Sequence, residues 1–133
     1  TMTASQQRRL HSEISTQCSM NHPNIARIKD VYMDEGAVHL VLEYLRGGTL
    51  FERLKEQGLF CEAKAAQAIL QLLSSLEHVH SQNFMHRDVK PENVVYVGGH
   101  GDASHLKLID FGLATSCSQS CQGSCGTPLY TAP

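Results

Sequence analysis

Apolar residues recur along the chain at two different periods. Ile69, Leu72, Leu73, Leu76 and Val79 follow one another at helical spacing, which gathers them on one face. They predict a long helix that opens at Cys61 or Glu62, after Gly58-Leu59-Phe60, and runs to about Ser81. Gly47-Gly48 lets the chain bend into a shorter helix over Thr49–Leu54. Near the start, Leu10 and Ile14 with Gln17 and Cys18 place a helix from about Ser5 to Met20, with Thr3 or Ser5 as its cap. Elsewhere the apolar residues form short runs of the β type. Ile28–Met33 and Val38–Glu43 are predicted strands joined by the turn residues Asp34-Glu35-Gly36. Phe84-Met85 is a short strand, and Val94–Val97 and Leu106–Ile109 are two more. Between the last pair lies Gly98-Gly99-His100-Gly101-Asp102-Ala103-Ser104-His105. It is longer than a tight hairpin needs and rich in glycine, which predicts a surface turn. Phosphate loops precede a helix and this one precedes a strand, so it does not suit a nucleotide cradle.

Composition narrows the classes. A chain of 133 residues has room for one small domain or part of a larger one. With 41% hydrophobic residues and no Trp it is ordinary for a globular chain. A net charge of −2 gives no electrostatic footprint for nucleic acid or for an anionic membrane. The apolar runs are too short to span a bilayer, and no signal peptide is visible. Thr1 precedes Met2, so the start reads as a cut or an added residue.

The candidate chemistry lies in His86-Arg87-Asp88-Val89-Lys90-Pro91-Glu92-Asn93, followed by Asp110-Phe111-Gly112 and, at the end, Thr131-Ala132-Pro133. Phosphoryl transfer to a hydroxyl needs little covalent help. It needs an aligned hydroxyl and divalent metal to neutralise charge on the phosphates. Either triplet alone would be weak evidence. Both in order, with Lys90 and Asn93 at their offsets and Gly126-Thr127-Pro128 close behind, are specific. On these residues the chain resembles a protein kinase catalytic domain. Gly47-Gly48-Thr49-Leu50-Phe51 and Gly126-Thr127-Pro128-Leu129-Tyr130 make it most similar to the calcium/calmodulin-dependent and calcium-dependent kinases, although the chain holds no calcium loop.

The resemblance implies an α+β, partial protein-kinase-like fold. Residues 1–43 would be the remnant of the N-lobe, and 44–133 the hinge, two helices, catalytic loop and activation segment. It implies an ATP-dependent protein serine/threonine kinase that uses Mg²⁺ and acts on protein Ser/Thr hydroxyls. Asp88 would orient the hydroxyl and accept its proton, Lys90 would steady the γ-phosphate, and Thr127 would bridge the two. Asn93 and Asp110 would hold the metal and, through it, the nucleotide. Leu42 would be the gatekeeper, backbone groups of Glu43 and Leu45 would hydrogen-bond adenine, and Val95 would pack beneath it. Glu13, ahead of Asn21-His22-Pro23-Asn24-Ile25, would be the carboxylate that pairs with a phosphate-binding lysine. His86 and Phe111 would stack into a spine between the lobes. Arg87 would bind a phosphate on the activation loop, with Ser116, Ser118, Ser120, Ser124 and, least favoured, Thr127 as acceptors. Two positions depart from the family. Gln17 stands where an apolar side chain normally packs toward Phe111, and Thr49 stands where many relatives carry an acid that meets ribose, with Glu52 one turn later as a substitute.

Cys117, Cys121 and Cys125 repeat every four residues. Inert thiols, a redox switch and metal ligands stay open as readings, although a zinc site takes four ligands with closer paired spacing. An odd count of five cysteines, no secretory signal and the kinase motifs together favour reduced thiols in the cytoplasm or nucleus. The resemblance covers nearly all of the chain but only the middle of a kinase domain. Neither a Gly-x-Gly-x-x-Gly loop nor a lysine precedes Glu13. The apolar stripe of the long helix would then lack part of its cover, which invites a docking partner on that face. Two functions follow: the catalytic middle of a serine/threonine kinase with a protein substrate, or a truncated, inactive kinase-like module that acts by docking. Neither involves nucleic acid or membrane.

A direct prediction concerns residues 1–133 alone. Orientation supplies roughly 7–11 kcal/mol in good cases, and this span holds only the lower grip on the phosphates. Purified, with ATP, Mg²⁺ and a generic Ser/Thr substrate, it is expected to bind ATP weakly and to transfer no phosphoryl group. Turnover that vanishes on Asp88→Asn would overturn this.

Overall fold

The computed structural model describes residues 14–15, 17–34, 37–99, 105–117 and 125–130. Of the first predicted helix, residues 14–15 and 17–19 are helical, and its part before residue 14, Glu13 included, lies outside the described residues. Strands β1 (Ile28–Met33) and β2 (Val38–Leu42) pair antiparallel, from Ile28 against Leu42 to Met33 against Val38, with a bulge between Ile28 and Asp30. Asp34 closes the turn, since its amide donates to the Ala37 carbonyl (3.1 Å) and its carboxylate accepts from the Ala37 amide (3.0 Å).

Helix α1 (Leu50–Gln57) starts on a reciprocal cap. Thr49 Oγ1 accepts from the Glu52 amide at 3.1 Å, and the Glu52 carboxylate accepts from the Thr49 amide at 2.7 Å. The Glu52 carboxylate, suggested above as a substitute for the ribose acid, thus closes the cap. The helix ends at Gly58, whose φ of 71° suits glycine. Helix α2 (Glu62–Ser81) has no side-chain bond at its Cys61 cap. Its predicted stripe is divided. Val79 is buried, and Leu72 and Leu76 pack on the core, but Ile69 and Leu73 are more than half exposed. The helix touches the core along Ala68, Leu72, Ser75, Leu76 and Val79. Ile69 and Leu73 sit on its flank, where their apolar surface stays in water.

Strand β3 (Phe84–Met85) pairs with β6 (Thr115–Ser116), and β4 (Val94–Tyr96) pairs with β5 (Leu106–Leu108), both antiparallel. Strands β4 and β5 end one residue before the predicted bounds. Their alternation is strict: Val94, Tyr96, Leu106 and Leu108 point into the core, and the residues between them do not. Met20, Ile25, Ala68, Val79 and Phe111 complete this core. Residues before β1 join it through backbone. The Leu108 amide donates to the Asn24 carbonyl (2.8 Å), and the Leu108 carbonyl accepts from the Ala26 amide (3.0 Å). The buried Asn24 side chain donates to Gln71 Oε1 on α2 (2.9 Å) and to the Leu106 carbonyl (2.8 Å). The mixture of helices and small antiparallel sheets agrees with the expected α+β, partial kinase-like fold.

Leu108 has no solvent-accessible surface, whereas Ile69 is 53% exposed. Leu108→Ala is expected to cost about 2–5 kcal/mol in urea denaturation, and Ile69→Ala no more than about 0.5 kcal/mol. Equal losses would contradict this placement of the core.

Candidate active site

Three segments meet at Asp88. The loop after β3 carries His86, Arg87 and Asp88, a 3₁₀ turn over Pro91–Asn93 carries Asn93, and the turn before Pro128 carries Thr127. Proline at the start of the Pro91–Asn93 turn sets φ for it. Asp88 is 8% exposed and its oxygens are fully engaged. Oδ1 accepts from the Thr127 hydroxyl (2.7 Å) and amide (2.9 Å). Oδ2 meets Lys90 Nζ at 2.7 Å and accepts from Asn93 Nδ2 at 3.1 Å. Lys90 Nζ also donates to Thr127 Oγ1 at 2.7 Å, which closes a triangle of Asp88, Lys90 and Thr127. The Lys90 ammonium, with the Thr127 hydroxyl next, holds the Asp88 carboxyl down at about 2. The same carboxylate raises the Lys90 ammonium.

His86 is 1% exposed, and burial pushes its imidazole below the usual range. Its Nδ1 accepts from the Asp88 amide (3.3 Å) and its Nε2 lies 3.0 Å from the Ile109 carbonyl. These bonds assign the neutral ring with the proton on Nε2. The ring meets Phe111 edge-on, with centroids 4.8 Å apart. Arg87 stands at a left-handed φ of 66°, and its Nε donates to the Leu113 carbonyl at 2.6 Å. Among its suggested phosphate acceptors, Ser118, Ser120 and Ser124 lie outside the described residues, as does Cys121. Asp110 also has a positive φ, 60°, and its Oδ1 accepts from the Gly112 amide at 3.2 Å. The Ile109 amide donates to the Asn93 carbonyl (2.9 Å), which sets the Asp110 backbone beside the Asn93 turn.

A cavity of about 420 Å³ opens beside Asp110, lined by Ala26, Leu42, Glu43, Leu45, Val95 and Ile109. Val95, some fifty positions away in the sequence, thus shares one wall system with Leu42, Glu43 and Leu45, and Asn93 does not line it. Sequence reasoning missed Ala26 and Ile109, which carry no motif and reach the cavity only through the backbone bonds around Leu108. The Glu43 amide is engaged by the Arg27 carbonyl (3.0 Å), while among the described residues the Leu45 amide has no backbone partner. The Glu43 carboxylate accepts from the Arg27 amide (2.8 Å) and from Lys107 Nζ (2.5 Å). Burial pushes this carboxyl up, but Lys107 and the Arg27 amide outweigh it and leave it below the usual range. A second cavity of about 240 Å³ lies behind, against Gln17, Leu40, Leu42, Phe84 and Phe111. Gln17 therefore does face Phe111, but half-buried, so its amide escapes the full cost of desolvation.

Comparison with known proteins gives the family. A family profile described as Protein kinase domain matches residues 1–133. The chain is 43% identical over 122 residues to the serine/threonine-protein kinase DCLK3 of Mus musculus, covering 92% of this chain and 15% of that protein. It is 42% identical over 127 residues to calcium-dependent protein kinase 5 of Plasmodium falciparum (94% and 22%). It is 38% identical over 126 residues to human calcium/calmodulin-dependent protein kinase type IV (93% and 26%). The chain thus spans between 15% and 26% of the length of these relatives. The chain belongs to the protein kinase domain family, and the relatives it matches are serine/threonine kinases of the calcium-dependent, calcium/calmodulin-dependent and DCLK types.

Proposed function

We propose that this chain is the catalytic middle of an ATP-dependent protein serine/threonine kinase. The observation that carries the reading is the closed triangle of Asp88, Lys90 and Thr127 beside the cavity at Asp110. A carboxylate held at about 2 is a weak base at neutral pH. Asp88 therefore acts first as an aligner: the incoming hydroxyl takes the place of one of its present donors and gives up its proton late, which suits a loose transition state. Lys90 places its charge where the transferred group passes. Asn93 and Asp110 offer hard oxygen donors suited to Mg²⁺, since the Asn93 amide nitrogen is turned to Asp88 and its oxygen is left for a cation. Bound Mg²⁺ neutralises charge on the phosphates. Adenine fits the cavity between Leu45 and Val95, with the Leu45 amide as donor.

Three measurements test this in the protein expressed from its full reading frame. Asp110→Asn is expected to lower Mg-ATP-dependent transfer by roughly 10²-fold or more, and normal turnover would sink the metal assignment. Offered mixed peptides, the protein is expected to modify Ser or Thr, because Lys90 and Thr127 both fit that pattern; robust phosphotyrosine formation would contradict it. The third is the pH dependence of stability. The folded Asp88 carboxyl lies below its unfolded value of about 3.9. Its contribution is therefore present above pH ~4 and lost as pH falls toward about 2. Asp88→Asn should flatten the stability profile between those values, and profiles of identical slope would count against the pairing.

A further inference from the structure

Arg53 carries a charge that the proposed reaction does not use. It lies on α1 and is 3% exposed. Among the described residues no carboxylate forms a salt bridge with it. Its partners are neutral. Nε donates to the Gly47 carbonyl at 2.9 Å and Nη2 to the Gly98 carbonyl at 3.1 Å. The guanidinium lies 3.8 Å above the centroid of the buried Tyr96 ring. A buried cation without a counter-ion is costly, and an apolar side chain of similar volume would avoid that cost. An apolar side chain cannot hold two carbonyls from different segments with one rigid fork.

Those two carbonyls flank the backbone that shapes the nucleotide cavity. Residues 46–49 lie along β4 like an added strand. The Arg46 amide donates to the Val97 carbonyl (3.1 Å), the Gly47 amide to the Tyr96 carbonyl (2.9 Å), and the Tyr96 amide to the Gly48 carbonyl (3.0 Å). Thr49 forms a bridge with Val95. This segment begins next to Leu45, and Leu45 and Val95 both line the cavity. The approach is close: a Cβ on Gly47 would come within 2.2 Å of the Gly98 carbonyl and 2.4 Å of Tyr96 Cβ. Any loosening of residues 46–49 therefore moves Leu45 relative to Val95.

We propose that Arg53 is a positioning residue for nucleotide binding: its fork across the Gly47 and Gly98 carbonyls, seated on Tyr96, fixes the spacing of Leu45 and Val95. It acts on the adenine end of the site, remote from Asp88 in its contacts, and it rests on the reading of that cavity as the nucleotide site. The test compares Arg53→Met and Arg53→Lys with the unmodified protein, expressed from its full reading frame. Lysine keeps the cation and can reach one carbonyl but loses the fork. For both variants the KM for ATP and the inhibition constant of adenosine, a probe without phosphates, are expected to rise about ten-fold, with kcat at saturating ATP and the peptide KM within about two-fold. A lower kcat with an unchanged KM for ATP would mean a merely structural role and overturn the proposal, as would unchanged values throughout. If Arg53→Met fails to fold, Arg53→Lys alone decides by the same criteria. Adenosine that does not compete with ATP in the unmodified protein would sink the nucleotide-site reading itself, and this proposal with it.

Discussion

Leu108 is the backbone junction on which the rest depends. On one side β5 pairs with β4, and on the other the Leu108 amide and carbonyl bond residues 24 and 26. Its side chain has no exposed surface. The strand therefore meets the sheet with β4 and the approach to β1, and two residues later it delivers Asp110. Buried backbone polar groups must be paired, so neither neighbour can shift without breaking a bond of this strand. The cavity beside Asp110 exists because those segments converge there.

Much of this was legible in the sequence because local chemistry decided it. The Asp34 turn, the glycine stop at Gly58, the strict alternation in β4 and β5, and the order of Asp88, Lys90, Asn93 and Asp110 are written in residue types and spacing. What residue types and spacing did not reveal depended on what lies across from a residue. Ile69 and Leu73 have helical spacing like Leu72 and Leu76, and periodicity cannot tell a flank from a contact line. The cap bond between Glu52 and the Thr49 amide was not foreseen. Strand β6 is two residues long and has no pattern of its own; it forms because β3 offers a partner. Ala26 and Ile109 enter the cavity wall by tertiary position alone, and nothing in their type could announce it.

Charge is handled differently in three places. Around Asp88 the carboxylate is paired with a cation and with hydroxyl and amide donors, so the ionised form is favoured despite low exposure. At Glu43 burial and pairing oppose each other, and pairing prevails. At Arg53, among the described residues, the cation is met by carbonyls and an aromatic face. The first two arrangements stabilise through charge; the third uses charge chiefly for geometry.

The bond from Thr127 to Asp88 joins residues 39 positions apart. For a flexible segment of that length the chain-length part of the closure entropy is roughly 3 kcal/mol. A single hydrogen bond to a charged group returns about 1.5–3 kcal/mol, at most as much as that cost. The pairing of β3 with β6 already returns Thr115 and Ser116 to the strand that leads into Asp88, and the several bonds that Thr127 makes to Asp88 and Lys90 offset what remains of the cost. It follows that any link that shortens the free path between the two ends, whether ionic, covalent or made by a bound molecule, favours the closed triangle without touching it. Assembly of the site and order in the intervening chain are in this sense one equilibrium.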